Sequence, residues 1–210
     1  MADVNLIIAD SELELVPPEM AKHPQVKESA KIRGKPATEI LLDSTNHFKA
    51  IFGEQRRGRP DIVHVCLLLA LDSLANQQGK LKVFVHTRND VIIEIHSSTR
   101  IPRNYNRFVG LMEQLLLVGK VPPEGTPLMT ARKGTLQKLV DELGKKAVIF
   151  DENGKTKRIG ELHLGDKTVI IGGFPSGDYL SKADGQKVSL GSEQLCAWSA
   201  VAYALSSLEL

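Results

Sequence analysis

The chain has 210 residues, of which 42% are hydrophobic and 25% are charged, and its formal net charge is +2. This composition is typical of an ordered globular protein and excludes a long disordered tail. The net charge is too small to indicate nucleic-acid binding by itself, so that inference depends on where the arginines lie.

The N-terminal segment and the apolar stretches give no indication of export or of a membrane span. The start, MADVNLIIADSELELV, carries acidic residues where a secretory signal needs positive charge. The longest apolar stretch, IVHVCLLLAL, is interrupted by His64 and is shorter than the roughly 18 residues that a span requires. Cys66 and Cys196 have no CxxC spacing and no nearby ligand residues, which predicts buried unpaired thiols and no metal site. We expect a cytoplasmic protein.

The first third of the chain predicts a strand, an irregular segment and a buried helix. The run VNLIIA contains enough β-branched and apolar residues to predict a buried strand, and EILLD near Ile40 predicts a second one. Pro17, Pro18 and Pro24 favour irregular structure between them. After the loop EQRRGRPD, the apolar residues 61–74 predict a buried helix with Asp61 as its N-cap.

The pattern then changes to a hairpin followed by a long helix. KLKVFVH and VIIEIHS, separated by TRND, predict two half-buried strands with Val91, Ile93 and Ile95 on one face. Pro102 suits the first turn of the helix that follows, and Gly119 suits its end.

The last third repeats the same α/β pattern. GKVPPEGTP is the one candidate linker. Beyond it we expect a helix with apolar residues at 136, 139, 140 and 143, strands at AVIF and TVIIGG, and a last helix from about Ser192 to Leu208. Neither half has a self-sufficient set of strands, so we expect one domain over residues 1–210.

Two clusters of arginines suggest a site for a polyanion. Arg100, Arg103 and Arg107 lie in STRIPRNYNRF, a stretch with no acidic residue at the expected start of a helix. Helix N-termini and arginine forks both favour phosphate oxygens, and a guanidinium also stacks on bases. The alternative is a solvated helix end whose arginines pair with acids elsewhere. The second cluster, RRGR at residues 56–59, occupies a glycine-containing loop where we expect the side chains to point outward.

Asp61 closes the second cluster and has two interpretations. As an N-cap it stabilises the helix; as a carboxylate held beside arginines it orients a ligand N–H or accepts its proton. His64, one turn later, is expected to be packed or capping rather than catalytic. IIGGFPSGD follows a β-branched run, so its glycines let the backbone approach a ligand, although the spacing is not that of a dinucleotide site.

Five segments together resemble a known family. They are RRGRPDIVH, LLLALDSLANQQGKLKVFVHT, STRIPRNYNRF, IIGGFPSGD and VSLGSEQLCAW. The chain is similar over most of its length to the ribosome-biogenesis pseudouridine N1-methyltransferases of the SPOUT, or α/β-knot, class. The resemblance implies an α/β fold with a C-terminal trefoil knot around the cofactor, an inserted hairpin and helix region, and a homodimer.

The resemblance also implies roles for individual residues. It implies S-adenosylmethionine as cofactor and a small-subunit rRNA hairpin loop as substrate, with contacts to ribosomal assembly proteins and no metal or membrane. Arg59 and Asp61 are the implied catalytic residues. The implied RNA-binding residues are Arg59, Arg100, Arg103 and Arg107. The implied cofactor-binding residues are Gly172, Gly173, Gly177, Leu190, Leu195 and Ala197.

Other functions stay open at this stage. A non-catalytic rRNA-binding assembly factor would use the same arginines as a clamp and would not bind the cofactor. A nucleotide or sugar-phosphate enzyme is less favoured, because six arginines exceed what one phosphate needs. The sequence also leaves open whether Asp61 is a general base or only positions the target base.

Overall fold

Eight strands form one sheet in this computed structural model, which describes residues 3–191 and 193–209. The strands are β1 Val4–Ser11, β2 Leu81–Thr87, β3 Val91–Ile95, β4 Lys120–Val121, β5 Met129–Lys133, β6 Ala147–Thr156, β7 Thr168–Gly172 and β8 Gln186–Ser189. Their order across the sheet is β4-β5-β3-β2-β1-β7-β6-β8. The neighbouring strands β2, β1, β7, β6 and β8 run parallel to one another. On the other side of β2, the strands β3, β5 and β4 extend the sheet in antiparallel pairs. The predicted α/β class is confirmed, and the knot stays a prediction.

Helices cover both faces of this sheet. They are α1 Pro24–Arg33, α2 Ser44–His47, α3 Pro60–Asp72, α4 Leu74–Gln77, α5 Tyr105–Val118, α6 Leu136–Leu143 and α7 Ala197–Glu209. Leu6 and Ile8 of β1 pack into the core formed with α3, α5 and α7, and Ile7 and Ala9 pack on the opposite face with α6. β1 is buried on both faces, as a central parallel strand must be. Within the described ranges, no helix is long and apolar enough to cross a membrane.

The predicted hairpin is confirmed as β2 and β3. Val91, Ile93 and Ile95 all pack against the same core cluster, as the alternation predicts. β2 is more buried than expected, because Phe84 packs into the cluster on the opposite face. The candidate linker, residues 119–127, contains β4 and leads into the strand that pairs with it, so it belongs to the sheet.

The segment between β1 and α3 differs most from the sequence prediction. Pro24 begins α1 instead of keeping the chain irregular, because the first helical position needs no N–H donor. The expected strand near Ile40 is absent from the described structure, and Leu41 makes only an isolated bridge with Leu15. Two backbone hydrogen bonds form this bridge, from Val16 N–H to Ile40 O and from Leu42 N–H to Glu14 O, both at 2.9 Å. The N–H of Leu41 donates to the Glu113 carboxylate of α5 at 2.9 Å, so the pairing does not extend into a strand.

Glu113 and Asp43 attach this segment to α5. The fully buried Glu113 carboxylate pairs with Arg33 Nη2 at 2.9 Å and with Lys35 Nζ at 2.7 Å. Tyr105, the first residue of α5, donates its hydroxyl hydrogen to Asp43 at 2.6 Å. Burial, followed by this carboxylate, raises the pKa of Tyr105, so the phenol stays a donor. The start of α5 is therefore held against the segment that leads into α3.

The N-cap of α3 lies two residues before the predicted one. Arg59 occupies the N-cap position without a side-chain capping bond, and Pro60 is the first helical residue. The prediction that Asp61 is the N-cap is wrong, because a proline at this position is pre-organised for the first turn and moves the cap back. The helix ends at Asp72, where Ser73 separates it from α4.

The start of α5 lies later than predicted. Asn104 is its N-cap and accepts a hydrogen bond from the N–H of Arg107 at 3.1 Å. Pro102 lies before the helix rather than in its first turn, because the capping asparagine sets the boundary. Gly119 ends the helix in the left-handed conformation, as predicted.

The last helix is shorter than predicted. α7 begins at Ala197, and Ser192, the expected start, lies outside the described residues. The expectation of two buried thiols holds only for Cys66, because Cys196 is exposed just before α7. Burial raises the pKa of the Cys66 thiol to about 12.

Candidate active site

A pocket lies at the carboxyl ends of β6, β7 and β8, closed on one side by the start of α7. Phe150 and Asp151 of β6, Ile171 of β7, Val188 of β8 and Ala200 of α7 are among its lining residues. Open α/β sheets bind ligands at the carboxyl ends of parallel strands, near the point where the strand order reverses. The pocket occupies that position.

The glycine loop, residues 172–181, forms another wall of this pocket. Gly173 donates its N–H to Ala9 O at 2.6 Å, which fixes the loop to the end of β1. Tyr179 donates its hydroxyl hydrogen to Phe150 O at 2.9 Å. Gly177 has a φ of +85°, a conformation that favours glycine. The loop is therefore anchored on both sides of the pocket.

Five of the six predicted cofactor residues line the pocket: Gly172, Gly177, Leu190, Leu195 and Ala197. Gly173 faces β1 instead. A Cβ there would lie 2.3 Å from Ser11 Oγ and 2.8 Å from Ile8 Cγ2, so glycine is needed for close packing of β7 on β1.

Sequence reasoning missed the polar and aromatic residues of the pocket. Asp151 follows the strand predicted at AVIF, and the rule that sites lie at strand carboxyl ends would have found it. Burial opposes its ionisation, but the ammonium of Lys187, 2.7 Å away, and the N–H of Asn153 together lower the pKa of Asp151. Phe174 and Tyr179 lie edge to face with ring centroids 5.2 Å apart. No periodicity marks an aromatic pair in a loop.

The glycine loop also depends on Asp10, a buried carboxylate at the end of β1. Asp10 has a φ of +49° and accepts hydrogen bonds from the N–H groups of Leu180 and Ser181, at 2.7 and 3.0 Å. His86 Nδ1 lies 3.5 Å from the other carboxylate oxygen. Burial opposes ionisation, but the His86 and Ser181 contacts prevail and lower the pKa of Asp10 to about 2.

The arginine loop, residues 53–59, leads into α3. The expectation that all its arginines point outward is wrong for Arg56 and Arg57. Arg56 Nε donates to Glu12 at 2.7 Å, and Arg57 donates to Glu14 at 2.6 and 3.0 Å. Both carboxylates are buried, so each needs a cationic partner.

Arg59, in contrast, is paired at the surface with Asp61. Arg59 Nε lies 2.8 Å from Asp61 Oδ1, and Nη2 lies 2.7 Å from Oδ2. The hydrogen bonds that Arg59 donates to this carboxylate raise the pKa of Arg59, which therefore stays charged. The Asp61 side chain is 44% exposed, so its remaining lone pairs are open to a ligand.

Arg100, Arg103 and Arg107 are exposed around the start of α5. Among the described residues, none of the three makes a salt bridge. Arg103 precedes the helix and Arg107 lies in its first turn, so the two do not share one regular helix face. These three guanidiniums, which have no salt-bridge partner in the described part of the chain, form a basic surface beside a helix N-terminus, a position that favours anions.

His64 connects the two arginine regions. Its Nε2 lies 2.7 Å from Pro102 O, and its ring stacks on Phe108 with centroids 4.4 Å apart. The histidine is buried between α3 and α5, as expected for a packing residue. It fixes Asp61, one turn earlier on α3, beside the segment that carries Arg103.

Glu12 connects the arginine loop to the glycine loop. Its carbonyl accepts the N–H of Arg59 at 3.1 Å, and its N–H donates to Gly173 O at 3.3 Å. The pocket and the Arg59–Asp61 pair are thus built on one short segment after β1. Over the described ranges, no group of three metal-binding side chains is found.

This fold and site define a class of α/β protein in which a pocket at the strand ends and a surface arginine–carboxylate pair are built on neighbouring loops. The family model described as EMG1/NEP1 methyltransferase matches residues 6–209. Two relatives named ribosomal RNA small subunit methyltransferase Nep1 are each 50% identical to this chain. The one from Thermococcus onnurineus covers 94% of both chains, and the one from Pyrococcus furiosus covers 98% of this chain and 96% of its own. The chain belongs to the EMG1/NEP1 methyltransferase family.

A solved structure is also similar to this one over the whole chain. The crystal structure of Archaeoglobus fulgidus Nep1 bound to S-adenosylhomocysteine matches with a TM-score of 0.88 and 37% sequence identity. It covers 100% of this chain and 98% of the other. The fold and the family assignment therefore agree.

Proposed function

We propose that the protein transfers a methyl group from S-adenosylmethionine to N1 of a pseudouridine in small-subunit rRNA. The observation that carries this proposal is the position of Glu12, whose backbone bonds to both Arg59 and Gly173. Through these two backbone hydrogen bonds, the loop that lines the pocket and the loop that carries the Arg59–Asp61 pair are neighbours. The names of the relatives, and the S-adenosylhomocysteine in the similar structure, support the cofactor and the RNA class.

The residues of the pocket fit S-adenosylmethionine. Phe150, Val188 and Leu190 supply apolar surface for an adenine ring. Asp151, ionised beside Lys187, supplies oxygen acceptors for hydroxyl or ammonium groups. The positive φ of Gly177 lets the backbone approach a ligand closely. When bound, the cofactor supplies a methyl on a sulfonium sulfur and leaves as S-adenosylhomocysteine.

The basic surface fits an RNA loop. Arg100, Arg103 and Arg107 are exposed and free to contact phosphates, whereas the arginines with structural roles are bound to buried acids. Sequence-specific proteins read RNA mainly in loops, where bases are unstacked and accessible. A hairpin loop on this surface would place its unstacked base beside Asp61.

In the proposed mechanism, the Asp61 carboxylate accepts a hydrogen bond from an N–H of the target base and so orients the base in the site. S-Adenosylmethionine would supply the methyl group, its S–C bond breaking as the N1–C bond forms, and the N1 proton would leave to Asp61 or to water. Arg59 keeps Asp61 oriented by donating hydrogen bonds to both of its oxygens. An in-line approach needs this orientation, because small misalignments of a nucleophile cost large factors in rate.

We further propose that two copies associate through α3 and α7. Val65 and Leu69, one turn apart on α3, are 37% and 38% exposed, and Tyr203 of α7 is 40% exposed. These two helices pack side by side and leave apolar side chains on a shared surface. Light scattering of the intact protein tests this, with a dimer expected. A Leu69→Glu variant should shift to monomer.

Titration calorimetry with S-adenosylhomocysteine and an rRNA hairpin tests the two candidate functions against each other. A methyltransferase binds both ligands. An rRNA-binding assembly factor without catalysis, which would act in the cytoplasm on the same rRNA and its assembly proteins, binds only the RNA. The exposed arginines around the start of α5 favour RNA binding under both candidate functions. The pocket at the strand ends, whose residues fit the cofactor, favours the methyltransferase. Absence of heat with the cofactor product at millimolar concentration would overturn the proposal.

A further inference from the structure

Arg56, in the arginine loop, contacts the glycine loop as well as Glu12 after β1. Its Nε is bonded to Glu12, and its Nη1 donates to the backbone carbonyl of Asp178 in the glycine loop. Its guanidinium carbon lies 3.8 Å from the centroid of the Phe174 ring. Phe174 and Asp178 both line the pocket. The Arg56 side chain therefore contacts the glycine loop at two points, the Asp178 carbonyl and the Phe174 ring.

The carboxylate that holds Arg56 is rigidly placed. Glu12 is fully buried, and its second oxygen binds Arg88 Nη1 at 2.7 Å. Its backbone bonds to Arg59 and to Gly173. A movement of Arg56 is consequently transmitted to Glu12 and to the backbone of Arg59, three residues further along the arginine loop.

The hydrogen bonds of Arg56 are not complete. Its Nη2 is buried and has no hydrogen-bond partner among the described residues. A buried donor without an acceptor is costly, so a rearrangement that supplies an acceptor is favoured. Such an acceptor would have to come from a bound ligand or from a rearrangement of the two loops that surround Arg56.

We propose that Arg56 is a positioning residue that holds the glycine loop on the pocket and couples cofactor binding to RNA binding. The proposal rests on the proposed function, because it takes S-adenosylmethionine and RNA as the ligands of the two loops. Coupling between two sites is reciprocal: if RNA tightens cofactor binding by some factor, the cofactor tightens RNA binding by the same factor. The coupling factor is therefore measurable from either side.

Arg57 is a matched control for Arg56. It is the next residue in the same loop and its side chain is similarly buried, 12% exposed against 19%. Its side chain bonds to Glu14 and Glu54, neither of which belongs to the glycine loop. Replacing Arg57 tests the anchor of the arginine loop without touching the glycine loop.

The experiment is titration calorimetry of S-adenosylhomocysteine into the intact protein, with and without a saturating rRNA hairpin. In wild type we expect RNA to tighten the affinity by about fivefold or more. Arg56→Met should weaken S-adenosylhomocysteine binding by about tenfold, because it removes a desolvated cation–π interaction and a hydrogen bond, and it should abolish the coupling. Arg56→Lys keeps the charge near Glu12 but lacks the planar fork, so it should also abolish the coupling.

Two further variants separate coupling from folding. Phe174→Leu removes the stacking partner from the other loop while leaving Arg56 bound to Glu12, and it should abolish the coupling in the same way. Arg57→Met should keep the coupling even where it lowers the melting temperature. If Arg56→Met and Phe174→Leu both leave the cofactor affinity and the coupling unchanged, the proposed role of Arg56 is overturned and the proposed function is not. The same holds if Arg57→Met reduces the coupling as much as Arg56→Met does. No cofactor binding by the wild type would overturn the proposed function as well.

Discussion

Arg59 holds Asp61 through both oxygens of the carboxylate, at 2.8 and 2.7 Å. A carboxylate held by two hydrogen bonds from one guanidinium is fixed in direction, which suits it to align a base N–H. The geometry of the pair is therefore suited to orienting a base.

The Asp61→Asn variant tests this pair directly. Asp61 lies in the first turn of α3 and is not its N-cap, so the helix should form normally. Even Asp61→Ala should cost about 1 kcal/mol or less, the usual worth of an exposed ion pair. We expect Asp61→Asn to melt like wild type and to bind cofactor and RNA, yet to lose most single-turnover methylation. Full methylation by this variant would show that the charge of Asp61 has no role.

The exposed arginines predict a salt-dependent affinity for RNA. Replacing Arg103 or Arg107 by Ala should weaken binding of a small-subunit rRNA hairpin. It should also reduce the slope of log affinity against log salt by about one unit for each phosphate that the arginine neutralises. Folding should be unaffected, because both side chains are exposed. Lys138, an exposed cation on α6 outside the arginine loop and the start of α5, offers a control as Lys138→Ala. If the slope is unchanged in both arginine variants, the arginines do not contact phosphates, and the alternative of a solvated helix end is correct.

Asp10 predicts a specific loss of stability in acid. Its folded-state pKa of about 2 lies below the ordinary value of 3.8, so its stabilisation is complete above about pH 5 and is lost as the pH falls toward 2. The shift corresponds to about 2 kcal/mol. The difference in unfolding free energy between wild type and Asp10→Asn should therefore shrink between pH 5 and pH 2. A difference that stays constant over this range would contradict the depressed pKa.

The two cysteines should differ in reactivity. Cys196 is exposed between two pocket-lining residues, and Cys66 is buried with a raised pKa. N-Ethylmaleimide should modify one thiol in the native protein and two after unfolding, and S-adenosylhomocysteine should slow modification of Cys196. Peptide mass mapping identifies the site. Modification of Cys66 in the native protein, or no protection by the ligand, would disagree with this arrangement.

The sequence predicted the elements whose residues repeat with a regular period. VNLIIA, AVIF and TVIIGG became the central parallel strands, because strands buried on both faces read as continuous apolar runs. It failed where a tertiary contact decides the local structure. EILLD has the composition of a strand, but the backbone of Leu41 bonds to Glu113, 72 residues away.

The candidate site, too, could be predicted from the sequence only in part. Asp61 and Arg59 are close together in sequence, and their proximity could be predicted. The separation of the arginines into structural and exposed groups could not, because it depends on the buried acids Glu12 and Glu14 at the end of β1. The local sequence places Arg59 beside Asp61, but nothing in it predicts that Arg56 pairs with the buried Glu12. The difference is set by which side chain the fold brings to each guanidinium.

The central claim is methyl transfer to N1 of pseudouridine, and the most direct measurement uses small-subunit rRNA from cells that lack this protein. The rRNA is incubated with the protein and S-adenosylmethionine carrying a labelled methyl group, then digested to nucleosides and analysed by mass spectrometry. We predict one labelled methyl per rRNA, on N1 of pseudouridine, and almost none with Asp61→Asn. Label on any other nucleoside, or no transfer by protein that binds both ligands, would contradict the account.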